Sequence, residues 1–240
     1  MNQLNAFMKQ KFDMKTFDHV KLNKTLPEIH TETIKGKRYY VTPEGNKYPS
    51  ITTVLSGTNK EGLIKCRNNV GNDVANQIMR EAAKRGTAVH TLVENYLNNE
   101  ELSKQDVLPV ALFGILKPEL DKINNIRLQE GGLYSDFYGV AGRVDCVAEY
   151  KGVLSVIDFK TSRQEKKEEW IENYFIQGAA YCEMYEEQFG VPVERVVILI
   201  VTEDGAVQTF SKYKDDYLPL LKTAIEEFKT NEQNKREIIR

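Results

Sequence analysis

Between Val193 and Thr202 the chain runs through six consecutive aliphatic residues, Val196-Val197-Ile198-Leu199-Ile200-Val201. Successive side chains of a strand point to opposite faces, so a run with no polar break belongs to a strand covered on both sides. A strand of this kind demands apolar layers above and below it, and the surrounding pattern supplies them. Helical spacing covers about Leu63–Asn98, punctuated by Gly71 and Gly86-Thr87, and Val89, Leu92, Val93 and Tyr96 repeat along one face. Another helix is expected over 105–125, bent or broken near Pro118. The period then changes. Ile126–Ser135, Gly142–Glu149 and Val153–Thr161 read as strands, the last two joined by a Tyr-Lys-Gly turn. Trp170–Gln188 reads as a helix, Ala206–Tyr213 as a strand after the Asp204-Gly205 turn, and about Asp215–Asn231 as a closing helix. The order predicts an α/β core with a helical N-terminal portion.

Upstream, Lys37–Thr42 reads as a strand, followed by a Pro-Glu-Gly-Asn turn and a second extended piece. Pro49-Ser50 is placed to open a short helix with a Ser or Thr cap. Residues 1–36 read as an N-terminal extension expected to be partly mobile. The remainder, 37–240, reads as a single domain with a hairpin and helical portion over 37–125 and a core over 126–240.

Hydrophobic residues make up 41% of the chain, enough for a real core, and charged residues interrupt every apolar stretch before it reaches membrane-spanning length. The first residues lack the apolar centre of a signal peptide, so the expectation is a soluble intracellular protein without membrane contact, in the cytoplasm of a bacterium or phage-infected cell or in an organelle. Cys66, Cys146 and Cys182 are far apart and form no CxxC pair, which argues for buried apolar side chains rather than a zinc site or disulfides. The net charge of −2 hides an asymmetry: residues 1–90 hold 15 Lys and Arg against 8 Asp and Glu, and the rest 18 against 27. An acidic half suits a divalent cation and a basic half suits phosphate.

The chemistry concentrates in VLSVIDFKTS. Asp158 and Lys160 are two apart on a strand and share a face, and burying an acid and a base at the end of an apolar strand is costly unless they are paired or bind something. Gly142-Arg143-Val144-Asp145 lies on the preceding strand, and antiparallel pairing brings Asp145 back towards Asp158. Two adjacent carboxylates repel unless a cation lies between them, and Mg²⁺ takes such oxygen ligands while keeping sites for water and phosphate. A lysine alongside can orient water or stabilise charge on phosphate. The spacing D-x12-D-x-K across a hairpin therefore reads as a metal site for phosphodiester hydrolysis. On the following helix Gln177 and Tyr181 are four apart and share a face. In Arg85-Gly86-Thr87-Ala88-Val89-His90, His90 shares a face with Glu94, a pair suited to a metal or a proton, and Arg85 with the Gly86 amide at a helix start would suit a phosphate. Ser50, Thr52 and Thr53 in YPSITTVL offer hydroxyls to a nucleic-acid backbone.

Taken together, YPSITTVL, RGTAVH-x3-E, GRVD, VIDFKTS and Q-x3-Y resemble the RecB-type nucleases of the PD-(D/E)XK superfamily, in particular the mitochondrial genome maintenance exonuclease group and its phage and bacterial relatives. The resemblance runs from about Tyr48 to Glu187. It implies a restriction-endonuclease-like α/β core with a mixed central sheet flanked by helices, with Asp145 and Asp158 as metal-binding acids, Lys160 as the catalytic lysine, His90 at the metal and Gln177 and Tyr181 supporting the catalytic strand. Glu94 and Glu130 are further metal or acid–base candidates. Ser50, Thr52, Thr53, Arg85, Thr87, Arg143, Thr161 and Ser162 are expected at the DNA. The implied activity is a Mg²⁺- or Mn²⁺-dependent exonuclease acting on DNA ends, single strands preferred, in replication, recombination or repair. A non-catalytic DNA-binding subunit and a structure-specific endonuclease are the competing readings. No iron–sulfur cluster is expected, because Cys66 lacks three late cysteines to join it. A monomer is expected, with a helicase, polymerase or single-strand-binding protein as candidate partners.

Overall fold

The computed structural model describes residues 14–56, 67–69 and 71–238. Residues 1–13, Cys66 and the start of the helix expected from Leu63 lie outside them. The sheet forecast from the aliphatic run is present, with five strands: β4 (Ile123–Ser135), β5 (Val140–Tyr150), β6 (Val153–Ser162), β7 (Arg195–Thr202) and β8 (Val207–Tyr213), in the order β4-β5-β6-β7-β8. β6 and β7 run parallel, and the other neighbours are antiparallel. Lys151 and Gly152 join β5 to β6 with both φ angles positive, 51° and 79°, the pairing that matches a two-residue hairpin turn to strand twist.

β7 divides its residues as a doubly covered strand must. Val196, Ile198 and Ile200 enter one apolar cluster, and Val197, Leu199 and Val201 enter the other. The first cluster is closed by α4 (Glu172–Phe189), α5 (Leu218–Ile238) and the short α1 (Ile51–Leu55). The second is closed by α2 (Asn72–Leu97) and α3 (Val107–Leu120). Helix α4 lies unusually close to β7: a Cβ added at Gly178 would stand 2.2 Å from Val196 Cγ1.

A second sheet of three strands, β1 (His30–Ile34), β2 (Lys37–Val41) and β3 (Lys47–Pro49), precedes α1. Its β2–β3 hairpin matches the expected one. β1 falls within the stretch read as an extension, and Phe17, also within it, is buried in the α2–α3 cluster. Ser50 caps α1 by accepting the Thr53 N–H at 3.0 Å. An isolated bridge between Ser50 and Ala141 seats this corner against the start of β5, which brings the YPSITTVL segment beside the GRVD segment.

One break in the helical pattern is corrected. Gly71, at φ 80°, does precede α2, but Gly86 lies inside that helix of 26 residues. Its amide is therefore part of the helix interior and not a free anion-binding helix start. Pro118 likewise sits within α3, near its end.

Candidate active site

The site begins where a ladder ends. β5 and β6 pair from Tyr150↔Val153 to Cys146↔Ile157 and no further. Beyond that point β6 stays paired with β7 and β5 with β4, so the sheet opens between its second and third strands. Phe159 is the β6 residue whose backbone groups face the opening, and side chains take the place of the missing strand. Asp145 Oδ2 accepts the Phe159 N–H at 2.9 Å, and His90 Nε2 lies 2.7 Å from the Phe159 carbonyl oxygen. A carbonyl can only accept, so Nε2 carries a proton and Nδ1 is the ring nitrogen turned to the opening. There it lies 3.8 Å from Asp145 Oδ1 and 3.8 Å from Glu130 Oε1. His90, Glu130 and Asp145 form a group whose ligand-type atoms all lie within 4.8 Å of one another.

Of the two further acidic candidates, Glu130 belongs to this group and Glu94 does not. Its φ is +45° in the middle of β4, a left-handed conformation that costs a residue with a Cβ about 1–2 kcal/mol. Outliers of this kind persist where surroundings hold them and collect at functional sites. Glu94, one helical turn after His90, is close enough to Glu130 and Arg143 to sense both charges; burial and then Glu130 raise its pKa.

Asp158 lies on the other side of the opening and is held by different partners. It is 2% exposed. Lys160 Nζ straddles its carboxylate, 2.6 Å from Oδ1 and 2.5 Å from Oδ2. Gln177 Nε2 lies 3.4 Å from Oδ1, the long end of hydrogen bonding. Tyr181 stands one helical turn after Gln177 on α4, and its ring fills the space over Gly142, where a Cβ would meet Tyr181 Cε1 and Oη at 2.7 Å. Glycine in GRVD is thus the residue that lets the Q-x3-Y helix close on the GRVD strand. Tyr174, one turn before Gln177, holds its ring 5.0 Å from Lys160 Nζ. Its spacing from Gln177 was the available sequence signal for that placement.

The electrostatics follow from burial and from these partners. Burial and the neighbouring Asp158 charge push the Asp145 carboxyl up to about 6. For His90 burial pulls down, but the nearby carboxylates of Glu130 and Asp145 outweigh it and bring the imidazole to about 9. For Lys160 burial again pulls down while Asp158 and Asp145 pull up, and its pKa ends above the ordinary lysine value. The ammonium is therefore a fixed positive charge and proton donor rather than a base.

Other predicted contacts divide. Thr52, Thr87 and Arg143 are exposed, and Thr53 and Thr161 are half-buried. Two hydroxyls expected at the DNA are spent inside the protein. Ser50 is 2% exposed and occupied in capping α1, and Ser162 is 7% exposed and donates to the Gln164 carbonyl at 2.6 Å. Arg85 is paired with Glu203, which reaches it from the β7–β8 turn. Cys146 and Cys182 are buried thiols.

Residues 113–238 match the family model described as the PD-(D/E)XK nuclease superfamily, a span that takes in β4 to α5 and every site residue except those on α1 and α2. The chain belongs to the PD-(D/E)XK nuclease superfamily. Its PD-(D/E)XK core carries the acids on β5 and β6 and the lysine two residues on. Among curated proteins, mitochondrial genome maintenance exonuclease 1 of Homo sapiens is 26% identical over 177 residues, covering 67% of this chain and 51% of the human protein. The Mus musculus protein of the same name is 26% identical over 179 residues, covering 67% and 52%. This PD-(D/E)XK chain thus spans about half the length of the curated relatives it matches. A crystal structure of a protein from Eubacterium rectale covers 64% of this chain with a TM-score of 0.45 and 15% identity.

Proposed function

We propose that this chain is a divalent-metal-dependent DNA exonuclease that hydrolyses phosphodiester bonds from strand ends and prefers single strands. The observation that carries the reading is the opening beyond Cys146↔Ile157, into which His90, Glu130 and Asp145 converge beside the Asp158–Lys160 pair. The name exonuclease on both curated relatives supports attack from ends.

The residues fit a hard divalent ion. Two carboxylates and an imidazole nitrogen meet at one point, and Asp145 is disfavoured as an anion by the Asp158 charge in a way a cation would relieve. Asp145, Asp158 and His90 would hold Mg²⁺ or Mn²⁺, with Glu130 as a fourth ligand. Such an ion supplies Lewis-acid polarisation of the phosphate and a more acidic water. The chain's own groups do the rest. Lys160 donates N–H bonds to the charge that builds on phosphate oxygens. Gln177 steadies the Asp158 carboxylate from α4, and Tyr181 fixes the distance between α4 and β5. Thr52, Thr53, Thr87, Arg143 and Thr161 offer contacts to the strand backbone.

A time course on linear single strands labelled at either end, with and without Mg²⁺, tests the proposal. Metal-dependent shortening from an end is expected, together with loss of cleavage in Asp158→Ala and Lys160→Ala at unchanged secondary structure. Full activity in either purified variant would overturn the site. Equal cutting of closed circular strands would replace the exonuclease by an endonuclease, and DNA binding without cleavage would leave a DNA-binding subunit.

A further inference from the structure

Lys160 is held by a partner that a metal would share. A lysine side chain is a flexible four-carbon stem ending in three rotatable donors, so its direction is set by what its end touches. Here that is Asp158, whose two carboxylate oxygens lie 2.6 Å and 2.5 Å from Nζ. The same carboxylate is one of the ligands proposed above for the divalent ion, and a cation beside it repels the ammonium. An amine held by Asp158 alone would be loosest in the loaded site, where its charge is needed on the phosphate.

A second contact reaches Nζ from another element. The centroid of the Tyr174 ring stands 5.0 Å from it, inside the reach of about 6 Å over which an aromatic face attracts a cation. Tyr174 shares a face of α4 with Gln177 and Tyr181, at helical spacings of three and four residues. Its backbone is pinned from the protein side: its N–H donates to the Ile171 carbonyl at 2.8 Å, and the side chains of Ile171 and Phe175 are buried. The ring therefore keeps its place without help from Asp158. The two partners of the ammonium also differ in kind. A carboxylate offsets the lysine charge and occupies its N–H donors. An aromatic face attracts the cation through its quadrupole and leaves the net positive charge intact.

We propose that Tyr174 is a positioning residue: its ring keeps the Lys160 ammonium at the catalytic opening while Asp158 is engaged elsewhere, so that the lysine meets the phosphate as an uncompensated cation. The inference rests on the nuclease reading above and gives α4 a part in it beyond Gln177 and Tyr181. The contact is to the ring and not to the hydroxyl. Phenylalanine therefore suffices at this position, and leucine, apolar but without the aromatic face, does not.

Two measurements test it on wild type, Tyr174→Phe and Tyr174→Leu, with folding checked by melting temperature. The first needs no DNA. Lysines are isotope-labelled at Cε for NMR, and the Lys160 signal is assigned by its loss in Lys160→Arg. The ring current should displace the Lys160 Hε protons from those of the other lysines. That displacement is expected to persist when Mg²⁺ is added to wild type and Tyr174→Phe, and to vanish in Tyr174→Leu. The second is cleavage of end-labelled single strands with Mg²⁺. Tyr174→Leu should lose about tenfold in kcat, the equivalent of about 1.4 kcal/mol, with KM within about twofold, as for an interaction made in the transition state. Tyr174→Phe should recover most of that loss. The proposal is overturned if Tyr174→Leu keeps the wild-type kcat, or if Tyr174→Phe falls as far as Tyr174→Leu. It is also overturned, whatever the variants do, if Mg²⁺ abolishes the Lys160 displacement in wild type. A wild type that cuts no DNA with Mg²⁺ or Mn²⁺ defeats the nuclease reading and the role given to Tyr174 with it; the Lys160 signal then separates a failed nuclease from a failed ring contact.

Discussion

Asp145 illustrates how a single residue can be placed against its own stability. It is pressed between burial and the Asp158 carboxylate, and its pKa stands near 6 where a free aspartate titrates near 3.8. A carboxyl whose folded pKa is raised loses stability as pH climbs from about 4 to about 6, and the penalty stays constant above that. Asp145→Asn keeps an oxygen for the Phe159 N–H and removes the repulsion. The metal-free variant is therefore expected to be more stable than wild type at pH 7, by about 1–3 kcal/mol at 1.36 kcal/mol per pKa unit, with the difference vanishing near pH 4 and no cleavage at any pH. Chemical denaturation of both proteins across that range, in the presence of a chelator, checks the sign. Glu130 makes the companion case. Glu130→Gly relieves the left-handed backbone, while Glu130→Gln keeps the strain and loses the charge. Both should weaken Mg²⁺ activation, and only the glycine variant should gain stability, by about 1 kcal/mol. An equal melting temperature for the two would remove strain from the account. This residue was barely legible beforehand, because a bare glutamate in a strand carries no mark of its backbone angle. Asp145, Asp158 and Lys160 were legible because hairpin register and two-residue alternation are arithmetic on the sequence.

At the scale of elements, the decisive contact is α4 on the sheet. Gly178 meets Val196, and Gly142 meets Tyr181, so two absent side chains set how close the helix lies. Gly178→Ala improves helix propensity by about 1 kcal/mol, yet the added methyl would stand 2.2 Å from a core valine. The collision wins. A net destabilisation of about 1–2 kcal/mol is expected from overpacking, together with a drop in cleavage as Gln177 is lifted from Asp158; a rise in melting temperature would contradict it. The sheet strands are legible in the sequence because their patterns are long and unbroken, and α1 is legible through its cap. Gly86 suggests a break in α2 because an isolated glycine looks the same at a helix end and at a place where a neighbouring strand needs room. β1 leaves no alternating pattern, since four of the five residues of HTETI are exposed.

Across the whole molecule, two apolar layers on opposite faces of one sheet send separate contingents to the same opening. His90 comes with the α2–α3 layer, while Gln177 and Tyr181 come with the α4–α5 layer. Removing divalent metal with a chelator should lower the melting temperature, and restoring Mg²⁺ should recover it by binding linkage. A metal-independent melting temperature would argue against a shared ion. No helix among the described residues is long and apolar enough to cross a membrane. The ladder that stops at Cys146↔Ile157 has one more consequence. Because that edge is filled by side chains from both apolar layers, the cluster of acids, imidazole and ammonium is assembled only once the two layers have docked on the sheet, and a partly unravelled copy holds the same residues without their arrangement.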